Sequence, residues 1–344
     1  MAPSGAPYLS ILMVASEAFP FAKTGGLGDV LGALPSALRR LGHEVTVVMP
    51  RYRGVEVTGP VSRRIDMPMG DRSFSLGLRE VEGDAGEQVV LVDCAELYDR
   101  NGLYGRGGID YADNAVRFSV LCRAALEYAC RCEALPSVVH AHDWQAGLVP
   151  VILRTEHSVE HRWRRVPAVF TVHNLAYQGL FPADSMAPLG LDPALFTSEG
   201  VEFWDQVGFL KAGINFADAI TTVSQTYARE ILTPQFGEGL DGLLVHRREL
   251  LTGIVNGIEL AEWDPGGDRW LPAPYSADDL SGKRVAKQKL LDCYGLSDEG
   301  EMMERPLVGM VSRMVDQKGM DLVWEAREAL LAMDVRFVAL GTGS

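Results

Sequence analysis

The stretch that decides the fold is Tyr8-Leu-Ser-Ile-Leu-Met-Val-Ala15, followed after a short loop by Lys23-Thr-Gly-Gly-Leu-Gly-Asp29. A short apolar run bounded by turn residues reads as a buried strand, and the periodic pattern over Leu27–Leu41 reads as a helix. The run is expected to be a first buried strand rather than a signal-peptide core. No Lys or Arg precedes it, and cleavage nearby would damage the Gly-rich loop. Working outward, the same alternation recurs. Leu9–Ala15, Glu44–Met49, Val138–His140, Ala168–Val172 and Ala219–Thr222 read as buried strands. Leu27–Leu41, Asn114–Cys132, Trp144–Thr155 and Thr226–Leu232 read as the helices between them. Strand and helix in alternation mean right-handed crossovers and a parallel sheet covered on both faces. The fold class is therefore α/β. Phe74, Leu76 and Leu78 alternate with small or polar residues, and with Gln88–Val92 they predict a β-hairpin in or beside this sheet.

From Leu251 the texture changes. Leu251-Thr-Gly-Ile-Val-Asn-Gly-Ile258 reads as one more strand ending in a turn, and the Pro-, Gly- and Trp-rich stretch Trp263–Tyr275 reads as a connection. Ser281–Tyr294 is a charged helix. Leu307–Val311, Met320–Met333 and Arg336–Leu340 form a second strand–helix–strand series before Gly341-Thr-Gly-Ser344. A doubly wound sheet that halts at a strand's carboxyl end lacks the helix that should cover it. The second sheet is therefore expected to be incomplete, with its last strand near an exposed edge or in need of a partner.

A chain of 344 residues predicts about two domains. Hydrophobic residues at 47% supply a sizeable core, which excludes disorder and small disulfide scaffolds. The balance of 32 basic against 46 acidic residues gives a net charge of −14. No basic stripe is visible, so nucleic acid and anionic membrane are not expected partners. A small phosphorylated ligand, which needs only a few well-placed cations, is compatible with this charge. The five cysteines, at 94, 122, 130, 132 and 293, form no C-x-x-C pair. Joining Cys130 and Cys132 to His157 and His161 does not match common zinc spacing. Buried or partly buried free thiols in a reducing cytoplasm are the expectation, with no metal. No apolar run is long enough to span a bilayer.

Three loops carry chemistry. Glycines in Lys23-Thr-Gly-Gly-Leu-Gly-Asp29 let backbone N–H groups approach a ligand at the positive end of a helix, and Lys23 adds a point charge suited to a diphosphate. The loop lies outside the carboxyl end of a strand, where open α/β sheets bind ligands. The spacing equally allows a turn that only packs helix against strand. His140-Ala-His142-Asp143-Trp144-Gln145 and Thr171-Val-His173-Asn174 follow neighbouring strands and would converge on one crevice. His140 reads as satisfied within the fold, and Asp143 could cap the following helix. For His142, Asp143 and His173 the repeated placement favours function, since imidazole and carboxylate can hold hydroxyls or stabilise developing charge. In the second segment, Ser312-Arg313-Met-Val-Asp-Gln-Lys318-Gly319 places two cations on a strand-to-helix loop, able to grip both phosphates of a nucleotide diphosphate.

Together, Lys23-Thr-Gly-Gly-Leu-Gly-Asp-Val30, His140-Ala-His-Asp-Trp-Gln145, Thr171-Val-His-Asn-Leu-Ala-Tyr-Gln-Gly179 and Ser312-Arg313…Gln317-Lys318-Gly319 resemble the bacterial glycogen (starch) synthases, from about Ser10 onward and in the family's order. The resemblance implies two Rossmann-like domains facing across a cleft (GT-B type), at 8–255 and 256–344, the second incomplete. It implies a retaining glycosyltransferase that moves glucose from ADP-glucose to the non-reducing end of an α-1,4-glucan, with no metal or cofactor. Lys23 and the Gly25–Gly26 backbone would contact the donor diphosphate, with Asp29 organising the loop. Arg313 and Lys318 would hold the same phosphates and support the departing ADP. His173 would bind the glucose 6-hydroxyl and assist the charge-separated transition state. His142 belongs to the same cluster, and Asp143, Trp144 and Asn256 would lie near the transferred sugar or the acceptor. Family members continue well beyond this chain, with a Glu-bearing segment that seats the glucose and the adenine pocket. The chain is thus expected to be a C-terminally truncated synthase that does not by itself transfer glucose. Two alternatives are a sucrose-type or other sugar-nucleotide glycosyltransferase, against which K-T-G-G-L argues, and a non-catalytic glucan-binding remnant.

Overall fold

A computed structural model of the chain describes residues 8–58, 60–83, 86–157, 162–296 and 301–341. His161 of the discarded metal reading, and residues 342–344, lie outside the described residues. The chain divides into two compact units, Met1–Gly257 and Ile258–Ser344.

The first unit is built on nine strands: β1 (Ser10–Val14), β2 (Glu44–Pro50), β3 (Arg63–Met69), β4 (Arg72–Glu82), β5 (Gln88–Asp93), β6 (Val138–His142), β7 (Ala168–Val172), β8 (Ala219–Thr222) and β9 (Leu251–Gly253). Their order across the sheet is β9-β8-β7-β6-β1-β2-β5-β4-β3. From β9 to β5 all neighbours are parallel. Their central strands are near-continuous apolar runs because both faces are covered; in β1, Leu12, Met13 and Val14 are all buried. The chain builds outward from β1 first through β2 and β5, then returns to build the other side from β6. The order therefore reverses between β1 and β6, and the carboxyl ends of these two strands border a topological switch point, where open α/β sheets bind ligands.

The predicted hairpin is one member of a three-stranded antiparallel extension, β5-β4-β3. The sequence reading missed β3 because Arg63, Arg64, Asp66 and Pro68 interrupt it. Ile65, Met67 and Met69 nonetheless alternate inward, and an edge strand tolerates a proline. The first helix, α1 (Gly26–Arg40), and the buried helix α2 (Asn114–Cys130) end close to their expected bounds. The single helix expected over Trp144–Thr155 is instead a 3-10 turn, Trp144–Ala146, and a separate helix α3 (Leu148–Thr155). The break falls at Gly147, where the backbone approaches Phe209 so closely that a Cβ would stand 2.0 Å from its carbonyl oxygen. The apolar helix α4 (Phe209–Phe216) was not read from sequence. Its Lys211, 5% exposed, is accommodated because the ammonium donates to the carbonyls of Ser198 (2.5 Å) and Gly200 (2.7 Å).

In the second unit, α5 (Ser281–Cys293) precedes β10 (Leu307–Val311), which pairs in parallel with β11 (Arg336–Leu340). The helix expected between these strands is two short ones, Met320–Glu325 and Arg327–Ala332. Among the described residues, Leu291 and Val338 are the buried hydrophobic side chains of this unit. None of the five cysteines forms a disulfide. Cys94 and Cys122 are buried and Cys130 and Cys132 half-buried, but Cys293 is exposed, which corrects the expectation of five covered thiols. Burial pushes the Cys122 thiol up to about 12, so it is unreactive near neutrality. Among the described residues no group of three or more His, Cys, Asp or Glu could hold a metal ion. Among the described residues no helix is long and apolar enough to cross a membrane.

Candidate active site

At the end of β1 the chain turns into Ser16 and Glu17, both buried. Glu17 ties down the Gly-rich loop. Its carboxylate accepts the Thr24 backbone N–H (2.5 Å), the Thr24 hydroxyl (2.6 Å) and the Tyr104 hydroxyl, which also lies 2.8 Å from the Ser16 hydroxyl. The next residue, Gly25, is the N-cap of α1 and supplies no side-chain cap, so the first-turn N–H groups receive no side-chain acceptor from it.

The glycines of this loop divide into two kinds. A Cβ on Gly28 would stand 3.0 Å from Lys23 Cβ, and one on Gly32 would stand 2.9 Å from Phe19 Cβ. Those two are small because helix and loop pack on them. A Cβ on Gly25 or Gly26 would meet nothing within 4 Å. Internal packing therefore does not demand glycine there, and the space above the helix N-terminus is left open. Lys23 stands beside it, its ammonium 2.5 Å from Asp29 and 5.9 Å from the Phe19 ring centroid. Asp29, in the first helical turn, thus organises the lysine and complements the helix dipole.

At the ends of β6 and β7 three imidazoles stack. The His140 and His142 ring centroids are 4.0 Å apart, and those of His142 and His173 are 5.3 Å apart. His140 is satisfied within the fold, its Nε2 lying 2.6 Å from the Thr171 hydroxyl of the adjacent strand. His142 is 1% exposed, and its Nδ1 lies 3.1 Å from His173 Nε2. Burial lowers the His140 pKa to about 4, and burial with its two histidine neighbours holds His142 well below the ordinary range. Burial also lowers His173, against the opposing pull of Asp143 and Glu17. All three rings are neutral near pH 7. They can orient and polarise a hydroxyl but carry no fixed charge.

Asp143 does not cap the following turn, as the sequence allowed. That turn has no side-chain cap bond, and the carboxylate instead accepts the His173 backbone N–H at 2.7 Å. Its backbone, at φ 57° and ψ −179°, occupies a region essentially reserved for glycine, at a cost of order 1–3 kcal/mol. The Asp143 N–H bond to the Thr171 carbonyl (2.9 Å) and the carboxylate bond to His173 hold it there.

Trp144, expected near the transferred sugar or the acceptor, is a buried side chain. It is 7% exposed and packs edge-on against Phe118, with Phe181, Tyr104 and Phe209 around it. Gly179, at φ 61°, covers the indole so closely that a Cβ would stand 2.3 Å from Trp144 Cε3. Trp144 supports the loop from beneath. Asn256 is exposed three residues beyond β9, whose parallel pairing puts it at the same sheet edge as His173. Lys23, Gly25, Gly26 and Asp29, together with His142, Asp143 and His173, therefore share the carboxyl ends of β1, β6 and β7. Arg313 and Lys318 belong to the second unit, both exposed in the segment after β10. The sequence reading passed over Glu17 and Tyr104. An acidic residue directly after a buried strand, seven positions from Thr24, was the available signal.

A parallel sheet whose switch point joins an open, cation-flanked helix N-terminus to a neutral imidazole cluster has its polar groups at the strand ends where open α/β sheets bind ligands. Residues 10–246 match the family model described as starch synthase catalytic domain. Glycogen synthases of Syntrophotalea carbinolica and Anaeromyxobacter sp. are 46% and 49% identical over 97% of this chain, which covers 69% and 70% of theirs. The structure of the catalytic domain of starch synthase IV from Arabidopsis thaliana, bound to ADP and acarbose, matches 98% of this chain and 69% of its own, with a TM-score of 0.89 and 31% identity. The chain belongs to the glycogen and starch synthase family, the glucosyltransferases of glycogen and starch synthesis.

Proposed function

We propose that the chain takes glucose from ADP-glucose and transfers it, with retention of configuration, to the non-reducing end of an α-1,4-glucan in the cytoplasm. The observation that carries this reading is the open space at Gly25 and Gly26, over the N-terminus of α1 and beside Lys23. Backbone donors, a helix dipole and an ammonium there suit a diphosphate. ADP in the Arabidopsis relative's structure supports the nucleotide, and the free cysteines suit a reducing compartment. In the second unit, the exposed cations Arg313 and Lys318 are also of a kind that suits phosphate.

In this mechanism the C1–oxygen bond to ADP breaks while the acceptor 4-hydroxyl attacks from the same face. Its proton passes to the departing phosphate oxygen. A retaining enzyme of the two-carboxylate kind needs a free nucleophile. Glu17 is engaged by Thr24 and Tyr104, and Asp143 by the His173 N–H, so both carboxylates hold structure instead. His173 binds the glucose 6-hydroxyl and Asn256 meets the sugar or acceptor. The test is transfer of labelled glucose to glycogen from ADP-glucose and from UDP-glucose, by the chain fused to the C-terminal segment of a full-length relative. Transfer with a clear ADP-glucose preference is expected. No transfer, or equal use of UDP-glucose, overturns the reading.

A further inference from the structure

We propose that His142 is a positioning residue that fixes His173 in its Nδ1-protonated tautomer, so that His173 meets a sugar hydroxyl as a hydrogen-bond donor. The ligand class rests on the reading of His173 given above; the tautomer rests on the hydrogen bonding and burial of the cluster.

His142 Nδ1 and His173 Nε2 lie 3.1 Å apart, so one of them carries the shared hydrogen. The other nitrogen of His142 decides which. His142 Nε2 is buried and has no hydrogen-bond partner among the described residues. If it bore the proton, an N–H would be buried without an acceptor. If it bears the lone pair, an acceptor goes unused. Orphaned buried N–H groups are rarer than under-used acceptors. The proton of His142 therefore sits on Nδ1 and points at His173 Nε2. A doubly protonated His142 is excluded by its burial against two further imidazoles, which holds its pKa well down.

With Nε2 accepting, the single proton of the neutral His173 ring is on Nδ1, because the bond made by one ring nitrogen sets the state of the other. His140 does not compete. Its Nε2 is engaged by Thr171, and its ring stacks on His142. Asp143 fixes the His173 backbone through the N–H, leaving the ring proton to His142. The consequence is directional: His173 offers a donor at Nδ1, and the hydroxyl it binds accepts at oxygen.

The tautomers are read directly from long-range proton–nitrogen correlation spectra of the 344-residue chain with labelled histidine, near pH 7 and without substrate. Seven histidines make the spectrum tractable, with His142→Phe and His173→Ala assigning the two signals. Nδ1-protonated His142 and His173 are expected. Nε2-protonated His173, or Nε2-protonated His142, overturns the proposal. In folded His142→Phe the hydrogen bond to His173 Nε2 is lost, so the Nε2 signal is expected to move to that of an unbonded imidazole nitrogen. An unchanged His173 Nε2 signal would also overturn the proposal. Should that variant not fold, the unaltered chain with His173→Ala still decides. These spectra need no sugar, so they stand apart from the activity of His173→Ala, which tests the contact with substrate.

Discussion

The Gly-rich loop and the histidine cluster occupy ends of adjacent strands, yet they are built in opposite ways. In the loop, Lys23 and Asp29 pair at 38% and 45% side-chain exposure, where an ion pair is worth about 0–1 kcal/mol. In the proposed function, Lys23 exchanges Asp29 for a donor phosphate at little cost, with the space at Gly25 and Gly26 leaving the approach clear. In the cluster, the rings are stacked, His142 buried and His140 and His173 half-buried, and Asp143 is held in a strained conformation by its bonds to Thr171 and His173. Exposure makes the first region adaptable, suited to capturing a donor. Burial makes the second rigid, suited to groups whose geometry must already be correct when charge develops.

That contrast is broken or sharpened most strongly at His173. A residue acting mainly in the transition state lowers kcat more than it raises KM. In the fused enzyme, His173→Ala is expected to reduce kcat by roughly 10²–10³-fold, with donor KM within a few-fold. Steady-state kinetics showing near-normal turnover would return the cluster to a purely structural role. Lys23→Ala should do the reverse. Loss of one charge-assisted contact predicts donor affinity lower by roughly ten- to hundred-fold, or ~1.5–3 kcal/mol, with glucan binding spared. Unchanged donor affinity by calorimetry would contradict the assignment.

The rigid region should also carry a pH signature. His140 has a folded pKa of about 4 against an ordinary value of 6.5. As pH falls below 6.5 the unfolded chain binds a proton that the folded chain refuses, so stability declines until the folded pKa is reached. Between about pH 7 and pH 5 the His140 share is about 2 kcal/mol, read from urea midpoints. His140→Asn should flatten this slope; an unaltered slope would show that His140 is not its source. The smallest effect separates the glycines. Gly28→Ala is expected to cost about 1–3 kcal/mol through overpacking, because Lys23 Cβ lies 3.0 Å from the new methyl. Gly26→Ala should leave thermal stability essentially unchanged while weakening the donor. Equal losses of stability in both variants would erase the distinction.

Much of the scaffold was legible from residue pattern. Ala168–Val172, Ala219–Thr222, Leu307–Val311 and Arg336–Leu340 were read at their observed bounds, because short apolar runs between turn residues have few other uses in an α/β chain. The edge strand Arg63–Met69 was not. Its pattern becomes a strand only because β4 supplies a partner and the proline faces no further neighbour. The buried helix Phe209–Phe216 was hidden for a related reason, since Lys211 is tolerated there only by carbonyls more than ten positions away. In the site, the motif residues stood out by type and by their place after strands. Glu17 did not, because its bonds to Thr24 and Tyr104 form only once the loop folds over it.

By itself the sequence determined the alternation that makes a parallel sheet, the Gly-rich loop after its first strand, and the cations and imidazoles at strand ends. These are local properties, written in residue type and spacing. Only the tertiary structure decided that Gly28 and Gly32 serve packing while Gly25 and Gly26 leave open space. It also decided that Trp144 lies beneath the site, and that His142 pairs with His173 across 31 positions of chain. Each of those outcomes depends on which distant atoms come within a few ångströms. That is settled by the packing of the whole sheet and its helices, not by any segment alone.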